Sequence, residues 1–189
     1  DGAIQTIVWH RTSQNVRIQP KLCLFHFGYF QRPDSCFAGR NIKTIRERAG
    51  ERLAELHPVL DADVVIPVRD SGLAAAIGYA AHLGMKLDAE ALFRPHGTGR
   101  SFIEPHKHLR IEGIGKKLRI ISEAVRGKKI ILIDDSVVRA LTMQHLIVPL
   151  WEAGAREIHV RIAMPPVKHP CAYGIDMQTR NEFIARRLK

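Results

Sequence analysis

The sequence predicts an α/β fold, a doubly wound and mainly parallel sheet, on three observations. Two short runs rich in β-branched side chains, Asp63–Val68 and Ile130–Ile133, read as strands buried on both faces. Each run passes through a polar loop into a stretch with helical periodicity. A third apolar segment, Glu157–Ala163, follows the second helix and is closed by Pro165-Pro166. Strands alternating with helices favour parallel pairing through right-handed crossovers.

The elements follow in order. Residues 1–30 read as β structure, with strands at Ile4–Trp9 and Lys21–Phe30 around a polar stretch. The chain starts inside what reads as a strand, so residues 1–30 are expected to be the edge of a preceding β-rich domain, and 31–189 the main domain. Gln31–Ser35 is a turn by composition. Asn41–His57 is a helix with Ile42, Ile45, Ala49, Leu53 and Leu56 on one face, ended by Pro58. Leu73–Leu83 is the helix after the first buried strand, stopped by Gly84. Residues 92–119 show little period, and Phe93–Ser101 is glycine-rich and basic, either a lid facing phosphate or an exposed connection. A short helix is expected over Leu118–Val125. The helix Ala140–Ala153 carries Pro149, which should kink or end it. A basic helix is expected over Thr179–Arg187.

Composition narrows the function classes. The chain has 189 residues, and 46% of them are hydrophobic, enough for one sizeable core. No stretch approaches the ~20 apolar residues that span a bilayer. No charged-then-apolar leader is present, and the three cysteines, Cys23, Cys36 and Cys171, make no disulfide framework, so a reduced, cytoplasmic setting is expected. The net charge of +10 invites an anionic partner. The basic residues are dispersed and aromatics are only 6%, which argues against a nucleic-acid surface and for a polyphosphate substrate.

The chemistry gathers where the Ile130–Ile133 strand stops. Asp134 and Asp135 are two adjacent carboxylates, costly to bury unpaired. They suit a place where the strand opens toward a metal or a polyol ligand, at the sheet edge where α/β folds bind ligands. Ser136 to Thr142, with Arg139, forms a loop and helix start suited to an anion such as phosphate. On pattern alone, an acidic turn followed by a capped helix remains an open alternative.

Six stretches in order, Tyr29–Ser35, Val65–Gly72, Gly99–Pro105, Ile133–Arg139, Glu152–His159 and His169–Asp176, resemble the amidophosphoribosyltransferases. The resemblance covers about residues 20–185. It implies a type I phosphoribosyltransferase fold and Mg²⁺-dependent transfer of an amino group to phosphoribosyl pyrophosphate, with ammonia as nucleophile and pyrophosphate as leaving group. This is the first step of purine nucleotide synthesis. It also implies a division of labour. Asp134 and Asp135 hold the ribose hydroxyls and Mg²⁺, and Ser71 joins the metal site. Asp70, Ser71 and Gly72 form the pyrophosphate loop. Ser136, Arg139 and Thr142 cradle the 5′-phosphate, and Arg100 closes over the pyrophosphate. The family's enzymes are oligomers, so a homo-oligomer is expected.

In one branch of the family four cysteines bind a 4Fe–4S cluster, and Cys23 and Cys171 match two of those positions. Two thiolates cannot supply the usual ligation, and buried hydrophobic cysteines are the alternative. The sequence also departs from the family. The phosphate loop reads Arg139-Ala-Leu-Thr142 instead of Arg-Gly-Thr-Thr. Arg69 stands where proline is usual, and of the lid motif only Arg94, Gly99 and Arg100 persist. The family's glutaminase domain is absent from this chain, so ammonia would come free or from another segment. Because the departures cluster in binding loops, a non-catalytic module that binds phosphoribosyl pyrophosphate or a purine nucleotide is the alternative reading.

Overall fold

The computed structural model describes residues 22–93, 118–171, 175 and 180–186. Its centre is a three-stranded parallel sheet, β3 (Val64–Pro67), β6 (Lys129–Asp134) and β7 (Glu157–Ile162), in the order β3-β6-β7. Val64 pairs with Ile130 and Lys129 with Glu157, so the three carboxyl ends lie together. A parallel bridge from Val65 to Leu87 extends the sheet beyond β3.

Both faces of the sheet are covered, which is why β3 and β6 read as continuous apolar runs. Val64, Ile66, Ile130 and Leu132 point to one side. There they meet α3 (Ser122–Val125) and α4 (Leu141–Glu152) through Val125, Leu146 and Leu150. Val65, Ile131 and Ile133 point to the other side. They meet α1 (Ile42–Leu56) and α2 (Leu73–Leu83) through Ala54, Ala76 and Tyr79. Each fully buried Ile or Val contributes about 1.5–3 kcal/mol. Two small antiparallel pairs complete the fold: β1 (Cys36–Phe37) with β2 (Arg40–Asn41), and β4 (Leu92–Phe93) with β5 (Arg119–Ile120). The doubly wound parallel sheet expected from the sequence is therefore present.

Helix α1 begins where the Asn41 side chain accepts from the N–H groups of Lys43 and Thr44 at 2.9 and 3.4 Å. Its buried stripe is Ile42, Arg46, Gly50 and Ala54, whereas Leu56 is exposed, so the expected face is rotated. The cause is close contact with α2. A Cβ on Gly50 would lie 1.9 Å from the Ala75 carbonyl oxygen, and one on Gly78 would lie 1.9 Å from that of Glu47. The helices meet backbone to backbone, and the larger apolar residues of α1 flank the contact.

Four further expectations are corrected. Within Lys21–Phe30, residues His26–Phe30 form a π-helical turn, not a strand. Phe25 stacks on both Tyr29 and Phe30 at 5.5 Å, contacts four and five residues apart that a helical path permits. Leu118–Val125 is divided, because Arg119 and Ile120 pair with β4 and only Ser122–Val125 is helical. Thr179–Arg187 is not one helix in its described part. Two 3₁₀ turns, Arg180–Glu182 and Ile184–Arg186, flank Phe183, which is drawn into the interior. Pro149 does not end α4, which runs on to Glu152. The proline lies on the exposed side, where a carbonyl left without its helical donor can bond water. The expected strand Ile4–Trp9 and the lid Phe93–Ser101 beyond Phe93 lie outside the described residues.

Candidate active site

The carboxyl ends of β3 and β6 bring three predicted residues together. Gly72 makes this possible. A Cβ there would sit 2.3 Å from the Ile133 carbonyl oxygen and 2.9 Å from that of Val68, so only glycine lets α2 start against the end of β6. The approach carries Ser71 to Asp134, and its hydroxyl donates to Asp134 Oδ1 at 3.2 Å. The Asp135 N–H donates to the same oxygen at 2.9 Å. Beyond β7, the N–H groups of Ala163 and Met164 donate to the carbonyls of Asp134 and Asp135 at 3.0 and 2.8 Å. The backbone under both acids is thereby fixed. The Ser136 hydroxyl donates to Asp135 Oδ1.

Asp134 and Asp135 are only 6% and 5% exposed. Among the described residues neither forms an ion pair. Burial first, and the Asp135 charge second, push Asp134 up to about 7, against the opposing hydrogen bonds from the Asp135 N–H and Ser71. Burial likewise raises Asp135, opposed by the Ser136 and Ser71 hydroxyls and by the Arg46 charge. Two buried carboxylates and a hydroxyl are hard oxygen donors. That set fits Mg²⁺, which typically takes one or two carboxylates and completes its shell with water and substrate oxygens. Among the described residues no group of three or more His, Cys, Asp and Glu is assembled for a metal. Cys23 is exposed and Cys171 half-buried.

The remaining predicted residues are placed differently. Asp70 is exposed at the same edge, with Arg69 Nε 3.6 Å from its Oδ1. Arg69, which departs from the family pattern, turns aside to bond Glu90 Oε1 at 2.8 Å. Thr142 lies in the first turn of α4. Ala140, just before that helix, is left-handed at φ +58°, the conformation that favours glycine. Arg139 is paired with Glu182. Arg100 lies outside the described residues.

Two further residues, Arg46 and Tyr29, stand beside the acids. Arg46 is 9% exposed, and its guanidinium donates to the carbonyls of Phe27 and Gln31 at 2.8 and 2.7 Å. It thus binds the π-helical turn to α1. It also faces Asp135 and Ser71 across a void of about 10 Å³. Tyr29, on that turn, has its phenol pushed up by burial and then by Asp135 and Asp134, so it is held neutral near the acids. Tyr29 opens one of the motifs quoted above. Arg46 gives no sequence signal, since a charged residue is rarely fully buried.

No family model matches the chain. The amidophosphoribosyltransferase of Synechococcus elongatus is 44% identical over 185 residues, which is 98% of this chain and 36% of that protein. A solved structure described as the allosteric regulatory enzyme of purine biosynthesis is 42% identical. It has a TM-score of 0.76 and covers 88% of this chain and 36% of that one. The glutamine phosphoribosylpyrophosphate amidotransferase from B. subtilis, solved with ADP and GMP, is 43% identical with a TM-score of 0.74. It covers 86% of this chain and 35% of that one. Over nearly its whole length the chain is therefore homologous to amidophosphoribosyltransferases, and it spans a little over a third of their length. The resemblance read from the motifs is borne out, as is the phosphoribosyltransferase fold.

Proposed function

We propose that this homologue of the amidophosphoribosyltransferases carries a site that binds phosphoribosyl pyrophosphate with Mg²⁺ and passes its phosphoribosyl group to ammonia. The observation that supports this most is the meeting of Ser71, Asp134 and Asp135 at the carboxyl edge of the sheet, where both acids are buried and, among the described residues, neither forms an ion pair. Asp134 and Asp135 would hold Mg²⁺ and the ribose hydroxyls, with the Ser71 hydroxyl beside them. When bound, the cation supplies neutralisation of the charge that builds on departing pyrophosphate. Asp70, Ser71 and Gly72 form the turn over which pyrophosphate would lie, with Asp70 exposed, Ser71 half-buried and Gly72 buried against the end of β6. Ser136 to Thr142 and the free N–H groups at the start of α4 would receive the 5′-phosphate. Arg100 would close over the leaving group and keep water from competing with ammonia. The whole protein, with residues 1–30 as the edge of a preceding domain, would be a homo-oligomer supplied with ammonia by a glutaminase segment. A 4Fe–4S cluster on Cys23 and Cys171 would need two further thiolates.

Isothermal titration of phosphoribosyl pyrophosphate, with and without Mg²⁺, tests the site. Saturable binding that requires Mg²⁺ is expected, and Asp134→Asn with Asp135→Asn should abolish it. Equal binding by the double variant would sink the assignment. A non-catalytic sensor is favoured by one observation, that Leu141 stands where the family has a phosphate-binding hydroxyl. Ammonia-dependent pyrophosphate release separates the two readings, since only the enzyme produces it.

A further inference from the structure

The phosphate loop is tied to a segment 43 residues further along the chain. Three consecutive residues make the tie. The Glu182 carboxylate accepts from Arg139 Nε. Phe183 is 1% exposed and anchors the segment in the interior. The Ile184 N–H donates to the Val138 carbonyl at 3.0 Å. Together these fix Val138 and Arg139, the two residues before left-handed Ala140 and the start of α4. The side chains of Arg139 and Glu182 are 29% and 27% exposed, so the pair is largely shielded from screening by water and salt.

We infer that Glu182 is a positioning residue for the phosphate loop: by holding Arg139 it sets the shape in which the loop and the first turn of α4 present their N–H groups to a 5′-phosphate. Arg139 then acts through Glu182 rather than as a phosphate ligand. The inference rests on the sugar-phosphate reading proposed above. A second arrangement uses the same contact, with the Glu182 carboxylate occupying an arginine fork meant for phosphate. The two differ in sign. Loss of a positioning charge weakens phosphate binding, and loss of a competing charge tightens it.

The experiment titrates the 189-residue chain with two probes. Ribose 5-phosphate reads the phosphate loop, and pyrophosphate with Mg²⁺ reads the carboxylate side. Glu182→Gln and Arg139→Gln should each weaken ribose 5-phosphate about tenfold, and the pair together little more, as for residues coupled through one contact. Pyrophosphate with Mg²⁺ should stay within about twofold, and the exchange Arg139→Glu with Glu182→Arg should recover most of the loss. Unchanged or tighter ribose 5-phosphate binding in Glu182→Gln overturns the inference. So does equal weakening of both probes with a lowered melting temperature, which would mark a purely structural tie. If the parent chain binds neither probe at millimolar concentration, the sugar-phosphate reading fails and this inference with it. If the parent binds both and the variants match it, only the inference fails.

Discussion

Ser71 donates its hydroxyl to Asp134 across 63 residues of sequence, and the contact exists because Gly72 has no side chain. The start of α2 and the end of β6 approach so closely that a methyl group would overlap the Ile133 carbonyl. Gly72→Ala should therefore push α2 off the sheet, cost about 3 kcal/mol and separate Ser71 from Asp134. Urea denaturation checks the stability, and Mg²⁺ titration checks the site. Gly84→Ala is the control. Gly84 is left-handed at φ +64°, and an added methyl would meet nothing within 4 Å, so the change should cost only about 1 kcal/mol and leave Mg²⁺ binding unchanged.

Ala140 offers the opposite experiment. It is left-handed at φ +58° immediately before α4, and its own side chain makes no capping hydrogen bond to that helix. An L-residue pays about 1–2 kcal/mol in this conformation. Ala140→Gly should remove most of that strain and offset only part of it with added freedom in the unfolded chain. A gain of about 0.5–1 kcal/mol in the free energy of unfolding is expected. A lower denaturation midpoint than the parent's would contradict the strain.

The helix contact gives a third. Gly78→Ala places a methyl 1.9 Å from the Glu47 carbonyl oxygen, backbone that cannot rotate away. It should destabilise by about 2–3 kcal/mol. Ala81→Gly, on the exposed side of the same helix, should cost about 1 kcal/mol by propensity alone. Thermal melts of the two variants separate packing from propensity, and equal losses would mean that α1 and α2 can part freely.

What the sequence made legible, and what it hid, follows from these contacts. The strands β3 and β6 carry their signal in themselves, since burial on both faces demands uninterrupted apolar residues. The acids at the end of β6 stood out only through the motifs around them, since acidic residues after strands are common and on pattern alone an acidic turn reads equally well. The face of α1 was not, because its stripe holds Arg46 and Gly50, which have no hydrophobic signature. The pairing of Arg139 with Glu182 was hidden too. A motif identifies the loop, but the partner comes from the far end of the fold. The turn at His26–Phe30 misled because an aromatic run has no period that distinguishes strand from helix.

Asp134 makes stability depend on pH with a definite sign. Its folded pKa is raised to about 7 by burial and by Asp135, above the ordinary value of 3.8. The folded state therefore binds a proton that the unfolded state releases, and stability falls as pH rises from about 4 to about 7. Above that window the buried pair of charges opposes folding, by a few kcal/mol at about 1.4 kcal/mol per pKa unit. Without Mg²⁺ the chain should be more stable at pH 5.5 than at pH 8, and Asp134→Asn should flatten the difference. With Mg²⁺ the cation replaces the proton, so its affinity should rise across pH 6–8 and binding should release protons. Melting curves at both pH values, with Mg²⁺ and with chelator, decide the matter. A parent protein whose melting temperature does not change between pH 5.5 and pH 8 in chelator would show that Asp134 is not held protonated in the folded state.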